Sequence, residues 1–314
     1  MVSQSLLSRF LAGSRPDRPQ SDPRMTRGIE AAEIRARGFR LRVAPEYEIR
    51  CRQSGLVDAR SCDALHASAP RIPGGRSENY LLEGTTWGDS IRLRPSRRGG
   101  WLAPLLGDRF LSPKRALREF DKWLDLRSQG VSLPQPVLAM SRRRGVFWRS
   151  SLATRELPQA QDGARWLGSR PGDAALFATG KVLARALRQF HDAGAIHGDL
   201  HLRNILFETG DSERVGGAPR CWLIDLDRTR IRDRVTPADR MREWMRLARS
   251  IEKRGLAKEI SPRLRARLLR AYCDGDRSLR RAMLECVPRE IRRTARHRFA
   301  WSFRRRFHAE PRKA

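Results

Sequence analysis

The sequence predicts an α+β fold, in which a small lobe of antiparallel strands with one helix precedes a larger, mainly helical lobe. Three patterns indicate this: a strand, turn and strand over residues 80–94, an amphipathic helix over 112–130, and a longer helix over 174–193. We divide the chain into a flexible N-terminal extension (1–45), the small lobe (46–158), the helical lobe (159–275) and a basic, aromatic C-terminal extension (276–314).

The small lobe begins after a segment of biased composition. Residues 1 to about 40 are rich in Arg, Pro, Ser and Gly and poor in large apolar groups, so we expect a flexible extension. Strand-like fragments follow from Tyr47 onward. Residues 80–83 and 91–94 are typical of two strands, and the turn between them carries Gly84 and Gly88.

Helices are predicted where apolar residues recur at a spacing of three or four. Leu117, Phe120 and Leu124 form such a face, which ends at Gly130. Two short strand-like runs follow, at 145–149 and 152–154. The helix over 174–193 ends at Gly194, and the helical pattern resumes from Pro237 to about residue 272.

The charge of the chain favours anionic partners. Among 314 residues, 65 are Lys or Arg and 35 are Asp or Glu, a formal net charge of +30. Nucleic acid, anionic lipid headgroups and phosphorylated substrates all fit such a surface. The five cysteines show no zinc or redox spacing, which favours a reducing cytosol. Neither a signal peptide nor a membrane span is expected, so we predict a soluble or peripheral protein.

The residues that indicate chemistry lie between positions 197 and 227. Asp199 is followed five positions later by Asn204, and a second apolar run ends at Asp225. Phosphoryl transfer requires a group that orients the attacking hydroxyl and hard oxygen ligands for magnesium. In this interpretation Asp199 accepts the hydroxyl proton, while Asn204 and Asp225 hold Mg²⁺ against the phosphates of ATP.

This stretch resembles the catalytic and metal-binding loops of the protein-kinase-like superfamily, whose patterns are His-Arg-Asp-Leu-x-x-x-Asn and Asp-Phe-Gly. The resemblance implies a two-lobed kinase fold. Gly198 replaces the loop Arg, and Leu226-Asp227 replaces Phe-Gly. Loss of the Arg points toward small-molecule kinases, and Asp227 could add a carboxylate near the metal.

Within that superfamily, the chain is similar to the bacterial lipopolysaccharide kinase family over roughly residues 80–275. The similarity is distributed over the runs 97–100, 108–110, 118–120, 130–136, 190–194, 223–228 and 246–250. It implies transfer of the ATP γ-phosphate to the 4-hydroxyl of 3-deoxy-D-manno-octulosonic acid (Kdo) on a lipid A precursor. The implied enzyme is cytoplasmic and peripheral on the inner membrane, where a basic surface attracts anionic glycolipid.

The superfamily resemblance also implies a nucleotide site. The strand over 91–94 lacks the usual Lys, so Arg94 is expected to bridge phosphate and Glu119, with Lys114 as a weaker alternative. Gly84 and Gly88 are expected to cover the phosphates. His197 is expected to be a scaffold residue, and His201 could approach the transferred phosphoryl group.

Three alternatives remain open from the sequence. The acceptor could be a core heptose, or the chain could be a catalytically silent kinase-like module that binds anionic lipid or RNA. The run 289–306, which interleaves Arg with aromatic residues, could be a solvated or docked helix or a membrane contact. We expect no specific nucleic acid partner.

Overall fold

The computed structural model describes residues 31–72, 78–84, 86–97, 107–208, 218–293 and 295. In these ranges the strands are β1 Ala32–Ala36, β2 Phe39–Val43, β3 Arg71–Ile72, β4 Asn79–Leu82, β5 Ile91–Pro95, β6 Pro136–Arg144, β7 Phe147–Arg155, β8 Gln161–Asp162, β9 Ala195–Ile196, β10 Ile205–Glu208, β11 Arg220–Leu223 and β12 Arg230–Ile231. The helices are α1 Glu48–Gln53, α2 Ala59–Ser68, α3 Lys114–Ser128, α4 Gly163–Gly168, α5 Asp173–Asp192, α6 Pro237–Glu252, α7 Pro262–Cys273 and α8 Arg277–Glu285.

The small lobe is built on one antiparallel sheet of seven strands in the order β1-β2-β6-β7-β5-β4-β3. The hairpin expected over residues 80–94 is present, with Tyr80 opposite Leu93 and Leu82 opposite Ile91. Helix α3 packs against β6 and β7, and its Phe120 and Trp123 are buried. The expected small lobe of antiparallel strands packed against a helix is thus present.

The sheet begins earlier than the sequence analysis expected. Strands β1 and β2 lie inside the segment 1–45, so the part from Ala32 onward belongs to the small lobe, whereas residues 1–30 lie outside the described residues. Phe39, Leu41 and Val43 are buried and alternate with Arg40 and Arg42. This period of two is a strand signal, which the Arg-rich composition obscured.

The small lobe also contains more helix than expected. The strand-like fragments after Tyr47 are in fact α1 and α2, which gives this lobe three helices instead of one. Helix α2 begins at a capping box, in which the Asp58 carboxylate accepts from the Ser61 N–H at 2.8 Å and the Ser61 hydroxyl oxygen accepts from the Asp58 N–H at 3.0 Å. These bonds satisfy two backbone donors that a helix start would otherwise leave unpaired.

The helical lobe is organised around α5, which packs on α7 and β11. Leu187 and Phe190 of α5 are fully buried, as the predicted apolar face requires. The next elements are small sheets: β11-β10-β8, and β12 paired with β9. Because β10 and β11 are antiparallel, with Ile205 opposite Leu223, the residue before β10 and the residues after β11 meet at one end.

The helical lobe extends beyond residue 275. Helix α8 starts at Arg277, directly inside the segment assigned to a C-terminal extension, and contacts α6 and α7. Its Met283 is completely buried, and Glu290 beyond it is buried as well. Most of the aromatic run 289–306 lies outside the described residues. Within the described part of the chain, the search for a helix long and apolar enough to cross a bilayer finds none.

Candidate active site

The loop after β9 is fixed to its surroundings through His197. The His197 N–H donates to Glu243 Oε2 at 2.9 Å, and its Nε2 lies 3.0 Å from the Ile224 carbonyl oxygen. His197 therefore ties the loop to helix α6 through its backbone N–H and to the chain that leaves β11 through its imidazole. The expected scaffold position of His197 agrees with these contacts, and burial lowers the pKa of its imidazole.

Sequence reasoning missed Glu243, the residue that anchors this loop. It is completely buried, and its other oxygen, Oε1, accepts a hydrogen bond from Arg246. Burial raises the pKa of Glu243, although Arg246 and the loop N–H groups oppose the shift. Glu243 lies four residues before the buried Leu247, so its position on the inner face of α6 was a usable signal.

The backbone conformation and close packing at position 198 require a glycine. Gly198 adopts a φ of +77°, and a Cβ placed there would lie 2.6 Å from the carbonyl oxygen of Arg228. Any larger residue, including the Arg of the kinase pattern, would collide with this backbone. The departure from the superfamily pattern therefore lets the loop pack directly on the segment that follows Asp225.

Asp199 and Asn204 are joined across the loop. The Asn204 side-chain amide donates to the Asp199 carbonyl oxygen at 2.9 Å, which leaves the amide oxygen of Asn204 as an acceptor. The Ile224 N–H donates to the Asn204 carbonyl oxygen at 3.0 Å, so Asp225 follows directly beside Asn204. The structure thus brings the three predicted polar residues to one end of the small β11-β10-β8 sheet.

Asp225 has an unusual backbone. Its φ of 67° and ψ of 66° lie in the left-handed region, which a non-glycine residue seldom adopts. Such strain persists only where surrounding contacts enforce it, and it concentrates at functional sites. Here the conformation turns the chain sharply between β11 and the following 3₁₀ turn at Leu226–Arg228.

Arg94 links the two lobes at this site. It donates from Nη2 to Glu119 Oε1 at 2.6 Å and from Nη1 to Asp225 Oδ1 at 3.0 Å. Burial alone would raise the pKa of Asp225, but the Arg94 guanidinium outweighs burial and lowers it. The pairing of Arg94 with Glu119 expected from the sequence is present, and Glu119 is only 4 % exposed.

A second Arg, which sequence reasoning did not single out, holds Asp227. Arg115 donates from Nε to Asp227 Oδ1 at 2.8 Å and from its Nη2 to the other carboxylate oxygen. Its guanidinium also lies 4.9 Å from the Phe110 ring centre. Lys114, the weaker alternative to Arg94, is exposed at the start of α3 and does not pair with Glu119.

The predicted phosphate-covering glycines occupy the β4–β5 turn. Both are exposed and have positive φ, and a Cβ on Gly84 would meet nothing within 4 Å. A Cβ on Gly88 would lie 2.6 Å from the Arg50 guanidinium carbon, and Arg50 donates to the Trp87 carbonyl oxygen at 2.7 Å. Helix α1 therefore braces this turn, a contact that the sequence did not reveal.

His201 lies beside the two carboxylates. It is half-buried, and burial lowers the pKa of its imidazole while the charges of Asp199 and Asp225 oppose the shift. Its Nδ1 is buried and has no hydrogen-bond partner among the described residues. A polar atom left in this state is a candidate for contact with a bound ligand.

The donor set suits magnesium and nucleotide phosphates. The carboxylate of Asp225 and the amide oxygen of Asn204 are hard oxygen ligands, the kind that Mg²⁺ takes a few of from protein and completes with phosphate and water. Arg94 occupies one oxygen of Asp225 and leaves the second available to a cation. Among the described residues, no three His, Cys, Asp or Glu side chains form a metal cluster of their own.

Known proteins share sequence and fold with this chain. Residues 84–272 match the model of the lipopolysaccharide kinase (Kdo/WaaP) family. A 3-deoxy-D-manno-octulosonic acid kinase of Xanthomonas euvesicatoria is 35% identical over 211 residues, which cover 65% of this chain and 78% of the relative. The enzyme of the same name from Vibrio cholerae is 30% identical, over 54% of this chain and 71% of the relative.

A solved structure supports the fold. The structure described as WaaP in complex with acyl carrier protein superimposes with a TM-score of 0.54 at 20% identity, over 79% of this chain and 96% of that chain. The match of the family model spans more than half of the residues, and it includes the loop at 197–204 and the segment at 225–227. The chain therefore belongs to the lipopolysaccharide kinase (Kdo/WaaP) family and is a phosphotransferase that acts on a hydroxyl acceptor.

Proposed function

We propose that this chain transfers the γ-phosphate of ATP to the 4-hydroxyl of Kdo on a lipid A precursor, in the assembly of the lipopolysaccharide inner core. The observation that supports this most is the meeting of Asp199, Asn204 and Asp225, with Arg94 joining Asp225 to Glu119 of the small lobe. The curated relatives named 3-deoxy-D-manno-octulosonic acid kinase favour Kdo as the acceptor.

In this proposal each side chain has one task. The Asp199 carboxylate takes the proton of the acceptor hydroxyl while the oxygen of that hydroxyl bonds to the γ-phosphorus. The bond from that phosphorus to the β–γ bridging oxygen breaks, and ADP leaves. Arg94, held by Glu119, contacts the nucleotide phosphates beneath the β4–β5 turn with Gly84 and Gly88, and the His201 ring approaches the transferred group. Asn204 and Asp225 would hold Mg²⁺, which supplies neutralising charge for the phosphate oxygens.

The acceptor also suggests where the protein works. Lipid A precursors are anionic and embedded in the membrane, and this chain carries a net charge of +30. Each Lys or Arg close to an anionic membrane surface contributes about 1 kcal/mol to the binding free energy of a basic protein. We infer a peripheral position on the cytoplasmic face of the bacterial inner membrane.

The test is a transfer assay with purified protein, ATP, Mg²⁺ and a Kdo-bearing lipid A precursor. We expect a product heavier by one phosphate in the mass spectrum, with the phosphate on Kdo. Asp199→Asn should lower kcat by about 10²–10⁴-fold, since it removes the proton acceptor without changing the size of the side chain.

The control is Asp274→Asn, the same change at an exposed position after α7, which should leave kcat unaltered. Thermal unfolding of both variants verifies that the fold is retained. Phosphate on a heptose acceptor instead of Kdo would reassign the substrate. No transfer to either sugar, together with metal-independent lipid binding, would favour the silent module.

A further inference from the structure

A groove of about 440 Å³ lies against helix α3 on the side of Asp227. Phe110, Leu111, Lys114, Arg115, Arg118 and Asp227 are among its lining residues. Glu119 lines it as well and is bonded to Arg94, which in turn contacts Asp225. The groove therefore shares a wall with the cluster that holds the proposed metal ligand.

The Lys and Arg side chains that line this groove differ in whether they are already paired with other groups. Arg115 is held by Asp227 and the Phe110 ring, and Lys122 donates to the Thr229 carbonyl oxygen at 2.7 Å. Lys114 and Arg118 are exposed and form no ion pair with any residue that the structure describes. Because they are four residues apart on one helix, they project from the same face.

The groove combines two kinds of surface. Leu111, one of the lining residues, is an apolar side chain that is 75% exposed. Two free cations beside an exposed apolar residue complement a ligand that is anionic and amphiphilic. The nucleotide is anionic but has no lipid part, whereas a glycolipid acceptor has both.

We propose that Lys114 and Arg118 bind an anionic group of the acceptor, a carboxylate or a phosphate, and so hold the glycolipid beside Asp199 for phosphorylation. This inference rests on the proposed function and names the part of the site that recognises the acceptor. Both residues are binding residues in this account, since neither contacts the groups assigned to proton transfer or to the metal.

The experiment compares two double variants that remove the same charges. Lys114→Gln with Arg118→Gln alters the groove, and Lys181→Gln with Arg185→Gln removes one Lys and one Arg, also four apart and exposed, from helix α5. We expect the groove variant to raise the KM for the Kdo-lipid A precursor about tenfold or more, because charge-assisted bonds are lost. Its KM for ATP should change less than twofold. The α5 variant should match the wild type in both.

Altered acceptors identify the source of the anion. One acceptor lacks the lipid A phosphates, and in the other the sugar carboxylate is reduced to an alcohol. The difference between groove variant and wild type should disappear for the acceptor that lacks the group held in the groove. Exchange of the two cations, Lys114→Arg with Arg118→Lys, should largely retain the wild-type KM.

Several outcomes would overturn the inference: an acceptor KM that equals that of the α5 variant, a rise in the KM for ATP instead, or a defect that persists on both altered acceptors. These are distinct from failure of the proposed function, in which the wild-type chain itself transfers no phosphate to Kdo-lipid A. In that case the groove assignment fails with it.

Discussion

At the scale of single residues, some residues of the site could be predicted from the sequence, whereas others are recognised only by their contacts in the fold. The polar residues Asp199, Asn204 and Asp225 were predictable because their spacing resembles a known catalytic pattern. Glu243 and Arg115 were not predicted. A charged residue on an amphipathic helix is usually exposed, and although the spacing of Glu243 from Leu247 indicates the inner face of α6, only the tertiary fold shows which groups Glu243 and Arg115 contact. The unusual backbone of Asp225, with φ of 67°, has no signal in the sequence.

Buried His191 provides a residue-scale prediction about pH. Its Nδ1 lies 2.7 Å from the Tyr272 hydroxyl, and the charged groups around it are Arg240, Asp192 and Arg188. Burial, reinforced by Arg240, lowers its pKa from 6.5 to about 3. Between pH 6.5 and about 3, His191 is therefore protonated in the unfolded chain and neutral in the folded chain. As pH falls below 6.5, His191 thus lowers the free energy of unfolding.

We expect the free energy of unfolding to decrease more steeply with falling pH in the wild type than in His191→Gln. Between pH 4 and 6 the slopes should differ by up to about 1.4 kcal/mol per pH unit, which corresponds to a difference of one bound proton between the unfolded and folded states. Urea unfolding at a series of pH values measures both slopes. Equal slopes would show that His191 titrates alike in the folded and unfolded chain.

At the scale of elements, the sequence predicted those with clear periodicity. The β4–β5 hairpin, α3 and α5 were predicted from their apolar spacing, and the structure has them at Asn79–Pro95, Lys114–Ser128 and Asp173–Asp192. Strands β1 and β2 are not predicted, because the Arg-rich composition of this segment obscures the alternation of buried and exposed residues. Helices α1 and α2 were missed because they are short and their burial depends on contacts with the sheet.

Strand β2 provides an element-scale prediction. Leu41 is fully buried between β1 and β6, so Leu41→Ala should leave a cavity and lower the free energy of unfolding by about 2–5 kcal/mol. The matched control is Val146→Ala on the β6–β7 turn, where the side chain is 69% exposed and the expected change is within about 0.5 kcal/mol. Chemical denaturation measures both variants.

A small effect of Leu41→Ala, similar to that of Val146→Ala, would show that β2 is not part of the cooperative core. The boundary that the sequence analysis predicts at residue 45 would then mark the start of the cooperatively folded part of the small lobe, although β2 pairs with β6. A large effect would establish that the small lobe needs the segment from Ala32 onward.

At the scale of the whole molecule, the distribution of charge follows from the shortage of acidic residues. Several carboxylates each serve two guanidinium groups: Asp63 contacts Arg142 and Arg144, and Asp89 contacts Arg50 and Arg155. Many of the other Arg and Lys side chains in the described part of the chain are exposed and contribute to a positive surface. The positive electrostatic potential of this surface attracts anionic lipid and the anionic acceptor. Salt shortens the range of the attraction, and the screening length is about 8 Å at physiological ionic strength.

The position of the site also belongs to this scale. Arg94 of the small-lobe sheet and Glu119 of α3 meet Asp225 of the helical lobe, so the proposed nucleotide site exists only when the two lobes are in contact. The sequence could place these residues on elements, and the resemblance could suggest that they meet. Only the packing of the lobes shows that one guanidinium joins both carboxylates.

The most direct test of the central claim is calorimetric titration with an ATP analogue whose β–γ bridge is nitrogen, with and without Mg²⁺. We expect the wild type to bind the analogue at least tenfold more tightly with Mg²⁺ than without it. Asp225→Asn should lose most of that dependence, because it removes the carboxylate that we propose as a metal ligand. Metal-independent binding in the wild type, or undiminished dependence in Asp225→Asn, would contradict the claim that Asn204 and Asp225 hold a divalent ion beside Asp199.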